Sequence, residues 1–200
     1  DSPEDFKNKR VLEVGSMYVN GGVRHIIERM GSPKEYIGVD IQEGEGVDFV
    51  VSAEGILDKF GENSFDVVVT TEMMEHVKDW RLVINNIKKV LRPEGLLFLT
   101  TRSYGFQYHA YPHDFWRYNE EDMKRIFADF QILAIKNQRE WAPGIFLKAR
   151  KPKNHEPVDL SEIALYSIAV GKRTIEHLPI SFKRKVMLVL RKRGLIKRVI

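Results

Sequence analysis

Apolar residues along this chain keep two rhythms that take turns. Val11-Leu12-Glu13-Val14 is a strand-like run that ends at Gly15, and a loop from Ser16 to Gly22 leads into a helix-like segment from Val23 to Met30. Tyr36-Ile37-Gly38-Val39 reads as a second strand and ends on a single acid, Asp40, while Val47 to Val51 is a shorter third. Glu54 to Phe60 reads as a short helix or turn closed by Gly61. Phe65 to Thr70 is a β-branched run of the kind that fills buried central strands. Glu72 to Val77 begins a helix, and Arg81 to Leu91 sets Leu82, Ile84, Ile87, Val90 and Leu91 at helical spacing. Pro93-Glu94-Gly95 breaks that pattern, and Leu96 to Thr100 follows as a fifth strand.

A long loop, Arg102 to Tyr118, is dense in aromatics and histidine. Asn119 suits an N-cap, with Glu120, Glu121 and Asp122 in the first turn of a helix that runs to about Asp129. Phe130 to Asn137 and Ile145 to Arg150 read as two further strands. No helix separates them, so they are expected to pair antiparallel. The sum is an α/β chain with a doubly wound, seven-stranded, mostly parallel Rossmann-like sheet and an antiparallel last strand. This domain takes residues 1–150. Lys151 to Pro157 reads as a linker, followed by two helical patterns, Leu160 to Leu178 and Ser181 to Arg193, in a helical C-terminal extension over 151–200.

The unit from Val11 to Asp40 is a strand, a small-residue loop, a helix and a strand ending on a carboxylate. Such units take nucleoside cofactors. The loop lets backbone approach the ligand, and the acid accepts hydrogen bonds from the ribose hydroxyls.

Composition narrows the class. At 43% hydrophobic and 30% charged, 200 residues can bury a core and stay in solution. There is no cysteine, which removes disulfides, thiolate metal sites and thiol nucleophiles together. No run approaches a membrane span and no secretory signal is visible, so a cytoplasmic protein is expected. The chain begins at Asp1, and few residues precede the first strand; either the C-terminal helices cover that face or a preceding segment is missing. The net charge of +4 is uneven. Residues 172–200 hold ten Lys/Arg against Glu176 alone, giving +9 and leaving −5 on the rest.

Four motifs in register resemble class I S-adenosylmethionine-dependent methyltransferases over residues 11 to about 150. They are VLEVGS, the acid of YIGVD, SFDVVVTTEMMEHV and VLRPEGLLFLTT. The resemblance implies S-adenosylmethionine as cofactor. Gly15 and Ser16 would let the loop pass under its methionine part. Asp40 would hold the ribose and Ile41 would pack on the adenine. Ser52, Ala53 and Glu54 would flank the adenine edge, and Thr71 and Glu72 would line the methionine end. Glu13 is expected to accept hydrogen bonds from loop amides or a cofactor amine. Met17 stands where the family has its second glycine.

Methyl transfer from a sulfonium needs a nucleophile held in line at about 3 Å, and a base only when the nucleophile holds its proton tightly. The loop after the fifth strand supplies candidates. His113 beside Asp114 suggests a base and its orienter, with His109 a second candidate. Tyr104, Tyr108 and Arg117 are expected to bind substrate. The competing reading is that His113 to Trp116 only packs the loop. Glu72 and His76, at i and i+4, suit a cation, but a helix start near the cofactor accounts for them and no metal is expected. The motif of exocyclic amino methylation is absent after the fourth strand, and cytosine C5 chemistry lacks its thiol.

The basic tail sets Phe182, Val186, Val189 and Leu190 on one helical side among Lys and Arg. It can lie on an anionic membrane, meet a dimer mate or pack on the domain, with nucleic acid behind these. The leading expectation is O-methylation of a small or carrier-linked acceptor such as a sugar or another hydroxyl or carboxyl compound. The alternatives are an RNA methyltransferase using the tail and a non-catalytic cofactor-binding protein.

Overall fold

The computed structural model describes residues 2–176 except 20, 111, 112, 139 and 141, together with residue 190. The chain forms β1 (Arg10–Val14), α1 (Arg24–Gly31), β2 (Glu35–Asp40), β3 (Phe49–Val50), α2 (Ile56–Phe60), β4 (Phe65–Thr71), α3 (Trp80–Val90) and β5 (Leu91–Arg102). It continues through β6 (Trp116–Arg117), α4 (Glu120–Ile126), β7 (Gln131–Gln138), β8 (Gly144–Arg150), β9 (Leu165–Ser167) and β10 (Lys172–Thr174).

Seven strands form one sheet in the order β3-β2-β1-β4-β5-β8-β7. All neighbours from β3 to β5 are parallel, and β8 runs antiparallel to both β5 and β7. This is the doubly wound sheet expected, with its reversed strand one place in from the edge. The chain leaves β1 toward β2 on one side and meets β4 on the other. The switch of winding therefore lies at the carboxyl ends of β1 and β4, where such sheets take ligands.

Burial explains the central strands. Val67, Val68, Val69 and Thr70 of β4 are all buried, because helices and loops cover both faces. Helix α3 turns Trp80, Val83, Ile84, Ile87 and Val90 into the main core, and Asp79 caps it by accepting a hydrogen bond from Leu82 N–H at 3.2 Å. The expected break at Pro93 does not separate helix from strand. The chain enters β5 directly at Leu91, and Pro93 sits where the β4–β5 register shifts. A proline has no donor to lose at such an irregularity. Asn119 caps α4 as expected, in a reciprocal pair with Asp122 at 2.8 and 3.0 Å, although the helix ends at Ile126.

The helix expected over 160–178 is not formed where the chain is described. Residues 165–174 instead form the β9–β10 hairpin, and β9 pairs with β6 to build a second, three-stranded sheet. Gly171 adopts φ +74° and its N–H bonds Ser167 O at 2.8 Å, a turn that a continuous helix does not permit. Leu160, Ile163 and Leu165 enter the main core, and the buried Lys151 ammonium donates to the carbonyls of Lys88 and Leu91. Residues 151–176 thus pack as part of the domain rather than as a linker and appendage.

Among the described residues, the face behind β1 is covered from the N-terminal side. A smaller core of Val11, Tyr36, Val67, Val69, Leu96 and Phe98 is met by Ile27 of α1 and by Phe6, whose ring stacks on Phe98 at 5.0 Å. The described C-terminal residues in the core belong to the opposite face. The second predicted helix of the basic tail, apart from Leu190, lies outside the described residues. No helix among the described residues is long and apolar enough to cross a membrane.

Candidate active site

The cofactor candidates converge at the carboxyl ends of β1, β2 and β4. Gly15 ends β1 with φ +80°, and its N–H bonds Val39 O at 2.9 Å. A Cβ there would lie 2.7 Å from Met73 Cγ, so conformation and space both call for glycine. Ser16 N–H also bonds Val39 O, at 3.1 Å, and its buried hydroxyl oxygen has no hydrogen-bond partner. Met17 N–H donates to Asp40 Oδ2 at 3.2 Å, and Gln42 N–H reaches Asp40 Oδ1 at 3.3 Å. The residue in the second-glycine place therefore steadies the acid by its backbone.

Ile41, next to that acid, is 66% exposed and presents a bare apolar side chain. Ser52 leads into the turn that holds Ala53 and Glu54, and Asn86 pins this turn by donating to Glu54 O at 2.7 Å. Thr71 ends β4 opposite Thr100. Glu72 follows at φ +54°; its Oε1 accepts from the Thr100 hydroxyl at 2.8 Å and its Oε2 pairs with Arg102 Nε at 2.6 Å.

Glu13 departs from expectation. Its side chain is buried beside α1, where it accepts from the Tyr36 hydroxyl at 2.8 Å rather than from loop amides. Burial pushes its carboxyl up to about 7, against the hydrogen bond from Tyr36.

The loop after β5 builds the other half. Asp114 is fully buried, and its partners are not the neighbouring His113. Its Oδ2 accepts from the backbone N–H and the Nδ1 of His109, both at 2.9 Å, while Arg117 grips it at 2.5 and 2.9 Å. Burial pushes the Asp114 carboxyl up, but the hydrogen bonds from Arg117 and His109 prevail and hold it well below the usual carboxylate range. A charged carboxylate only accepts, so His109 Nδ1 carries the proton and Nε2 the lone pair.

Arg117 also donates to the carbonyls of Phe106, Gln107 and Trp116, which engages all five of its N–H groups. Expected at the substrate, it instead braces the loop. Tyr104 lies exposed at the rim with its ring edge against Tyr166 at 4.8 Å, and Tyr108 is half-buried. His113 is exposed. Its contribution is a carbonyl, which accepts from His76 Nδ1 at 2.5 Å.

Two residues of the Met74–His76 turn complete this half. Glu75 is fully buried, its Oε2 accepts from the Thr101 hydroxyl at 2.9 Å, and burial raises its carboxyl above the usual range. His76 Nε2 and His109 Nε2 face Glu75 Oε1 at 3.8 and 4.0 Å. Phe115 N–H bonds Glu75 O at 2.9 Å and fixes the loop to the turn. Sequence reasoning passed over Glu75, although it stands beside His76 in the EHV motif.

These residues fit the cofactor that the motifs imply. Half-buried Asp40, whose oxygens each take one backbone N–H and can accept more, suits two ribose hydroxyls, exposed Ile41 suits a base, and the Gly15 turn with its unpartnered Ser16 hydroxyl suits the polar methionine end.

A family model described as a methyltransferase domain matches residues 2–142. Curated relatives named ubiquinone biosynthesis O-methyltransferase share 30% identity over 110 residues in Bartonella tribocorum, 48% of this chain and 42% of theirs. The one from Vibrio atlanticus shares 30% over 122 residues, 56% of this chain and 51% of that protein. The chain thus matches about half or less of these relatives' length. Among solved structures, an S-adenosylmethionine dependent methyltransferase from Mesorhizobium loti matches with TM-score 0.53 at 13% identity, covering 74% of this chain and 93% of that one. The N-methyltransferase NodS from Bradyrhizobium japonicum matches with TM-score 0.55 at 16% identity, covering 76% and 90%. These structures share the fold. With the family model spanning well over half of the sequence, the chain belongs to the S-adenosylmethionine-dependent methyltransferases.

Proposed function

We propose that the protein methylates oxygen on a small or carrier-linked acceptor, at a hydroxyl group. S-adenosylmethionine, when bound, supplies a methyl group on a sulfonium. The chain must bring an acceptor oxygen to it and manage the acceptor's proton. The observation that carries the reading is the cluster of Glu75, His76 and His109. Two imidazoles with their Nδ1–H groups engaged present unprotonated Nε2 atoms beside a buried carboxylate. Such a group suits an acceptor whose proton must be drawn off, as a hydroxyl's must. It has less to offer a free amine, which is nucleophilic once neutral. The O-methyltransferase names of the curated relatives agree with this reading.

The test is a panel of phenolic, catecholic, sugar and carrier-linked hydroxyl acceptors with methyl-labelled cofactor, run beside RNA, protein and amine acceptors. Label on an ether oxygen, lost in His109→Asn, is the expected result. Transfer confined to RNA, protein or nitrogen overturns the reading.

A further inference from the structure

We propose that Glu75, His76 and His109 bind one divalent cation of the zinc type. Their ligand atoms, one from each residue, lie within 4.8 Å of one another. They come from two segments that the Phe115–Glu75 backbone bond holds together.

The hydrogen-bond pattern carries the inference. Glu75 Oε2 is fixed by Thr101, while Oε1 is buried and has no hydrogen-bond partner. A buried carboxylate oxygen without a partner is costly and asks for an explanation. His76 Nδ1 faces the His113 carbonyl and His109 Nδ1 faces the Asp114 carboxylate, and neither of those can donate. In the neutral rings each imidazole proton is therefore on Nδ1, and both Nε2 atoms lie near Glu75 Oε1, at 3.8 and 4.0 Å. With Glu75 ionised, three electron-rich atoms converge with no hydrogen between them.

A proton on one imidazole would relieve only one pair, across 3.8 or 4.0 Å, which is too long for a hydrogen bond. A cation relieves all three once the side chains close in by a few tenths of an ångström, since zinc takes such ligands at about 2.0–2.2 Å. Anchoring the far nitrogen of each histidine to a carboxylate or carbonyl is also how metal-bound imidazoles are oriented.

The surrounding charges permit it. Arg102 Nε lies 3.8 Å from Glu75 Oε1 but is paired with Glu72 at 2.6 Å, and Arg117 is paired with Asp114. Glu75 then remains as the uncompensated carboxylate of the group. Two imidazoles and one carboxylate favour zinc and its neighbours over magnesium or calcium. The Glu72–His76 spacing in the sequence points to the right histidine and the wrong acid, since both Glu72 oxygens are taken by Thr100 and Arg102.

Three protein ligands leave positions open. A cation there would hold an acceptor oxygen and acidify its hydroxyl, so the imidazoles would not themselves carry the proton. That use rests on the O-methylation reading, whereas cation binding does not.

The test uses the full chain stripped with a chelator. Zinc chloride is titrated by calorimetry, and cobalt(II) chloride is followed by visible absorption. One cation per chain is expected, together with a rise in Tm on zinc addition. His76→Asn and His109→Asn should each lower affinity by more than the about 10–100-fold that loss of an outer partner brings. Each should also lose the cobalt band, while His25→Asn, on the exposed α1, keeps both. Circular dichroism on the same samples shows that the variants are folded. Absence of stoichiometric binding, or binding that survives both substitutions, overturns the site. Zinc binding without transfer to any hydroxyl acceptor keeps the site and removes the O-methylation reading; ether formation without zinc binding does the reverse.

Discussion

Asp114 directs its carboxylate to His109, five residues back, and leaves adjacent His113 with only a backbone carbonyl in the site. Orientation of an imidazole by a buried charged acid is a division of labour that chain proximity alone misassigns. His109→Asn is therefore expected to lower kcat/KM by about 10²–10⁴-fold, the usual worth of proton management. His113→Ala, which keeps its carbonyl, should change it only a few-fold. Steady-state rates with labelled cofactor decide between the two histidines.

Gly15 is constrained twice, by φ +80° and by Met73 at 2.7 Å from a Cβ position. Gly15→Ala should cost about 1–2 kcal/mol from the backbone alone. Adding Met73→Ala removes the Cγ contact at 2.7 Å but keeps Met73 Cβ at 2.8 Å, so it should recover only part of the steric share. Urea unfolding of the single and double variants measures that part.

Asp40 is held by two backbone N–H groups and keeps an accessible edge. Asp40→Asn removes the charge that strengthens its hydrogen bonds to a ribose. The expected loss is about 1.5–3 kcal/mol, or roughly ten- to over a hundredfold in affinity for S-adenosylhomocysteine by calorimetry. An unchanged affinity would remove Asp40 from the cofactor site.

Glu13 sets a pH dependence of stability. Its carboxyl is raised from the ordinary 4.5 to about 7 by burial. Between those values the folded chain holds a proton that the unfolded chain has lost, so this contribution is full below pH 4.5 and is lost as pH rises through 7. Glu13→Gln should remove it, a difference on the order of 3 kcal/mol at most. Equilibrium unfolding at pH 5 and pH 8.5 should show wild type losing more stability across the interval than the variant.

Lys88 and Asp129, each 2% exposed, form an ion pair at 2.7 Å, with His155 on the second Asp129 oxygen at 2.8 Å. Asp129→Ala would leave the buried ammonium with the Ile126 carbonyl. The expected cost is about 3–5 kcal/mol. Replacing both, as Lys88→Met with Asp129→Leu, should cost less than the single change. Thermal and urea unfolding of the pair measures the coupling.

The parallel half of the fold was legible because fully buried strands announce themselves. Phe65 to Thr70 is β-branched and apolar on both faces, and Asp40 marks the end of its strand. The residues expected at the cofactor follow chain order closely, so motifs could single them out. Those of the histidine–carboxylate cluster do not. Glu75, His109, Asp114 and Arg117 meet through side chains 3 to 42 positions apart, and no local period records who faces whom. Arg117 could not be separated from a substrate ligand by its type alone, since a guanidinium that binds five internal acceptors has the same letter as a free one. The β9–β10 hairpin was hidden by apolar residues at Leu160, Ile163 and Leu165 that fit a helix, and Gly171 was the overlooked sign against it.

That hairpin has a bearing on how the domain can be altered. Ile168 N–H bonds Phe115 O, and Phe115 N–H bonds Glu75 O, each at 2.9 Å, so two backbone links join the late strands to the histidine–carboxylate cluster. The loop ends around Gly15 and Asp40 are made by the first seventy-odd residues and, among the described residues, show no such backbone link to the late strands. Swaps confined to residues 160–174 would then re-aim the acceptor loop while leaving the nucleoside cradle as it is. A fragment ending at Arg150 would lose both that hairpin and the core contacts of Leu160, Ile163 and Leu165.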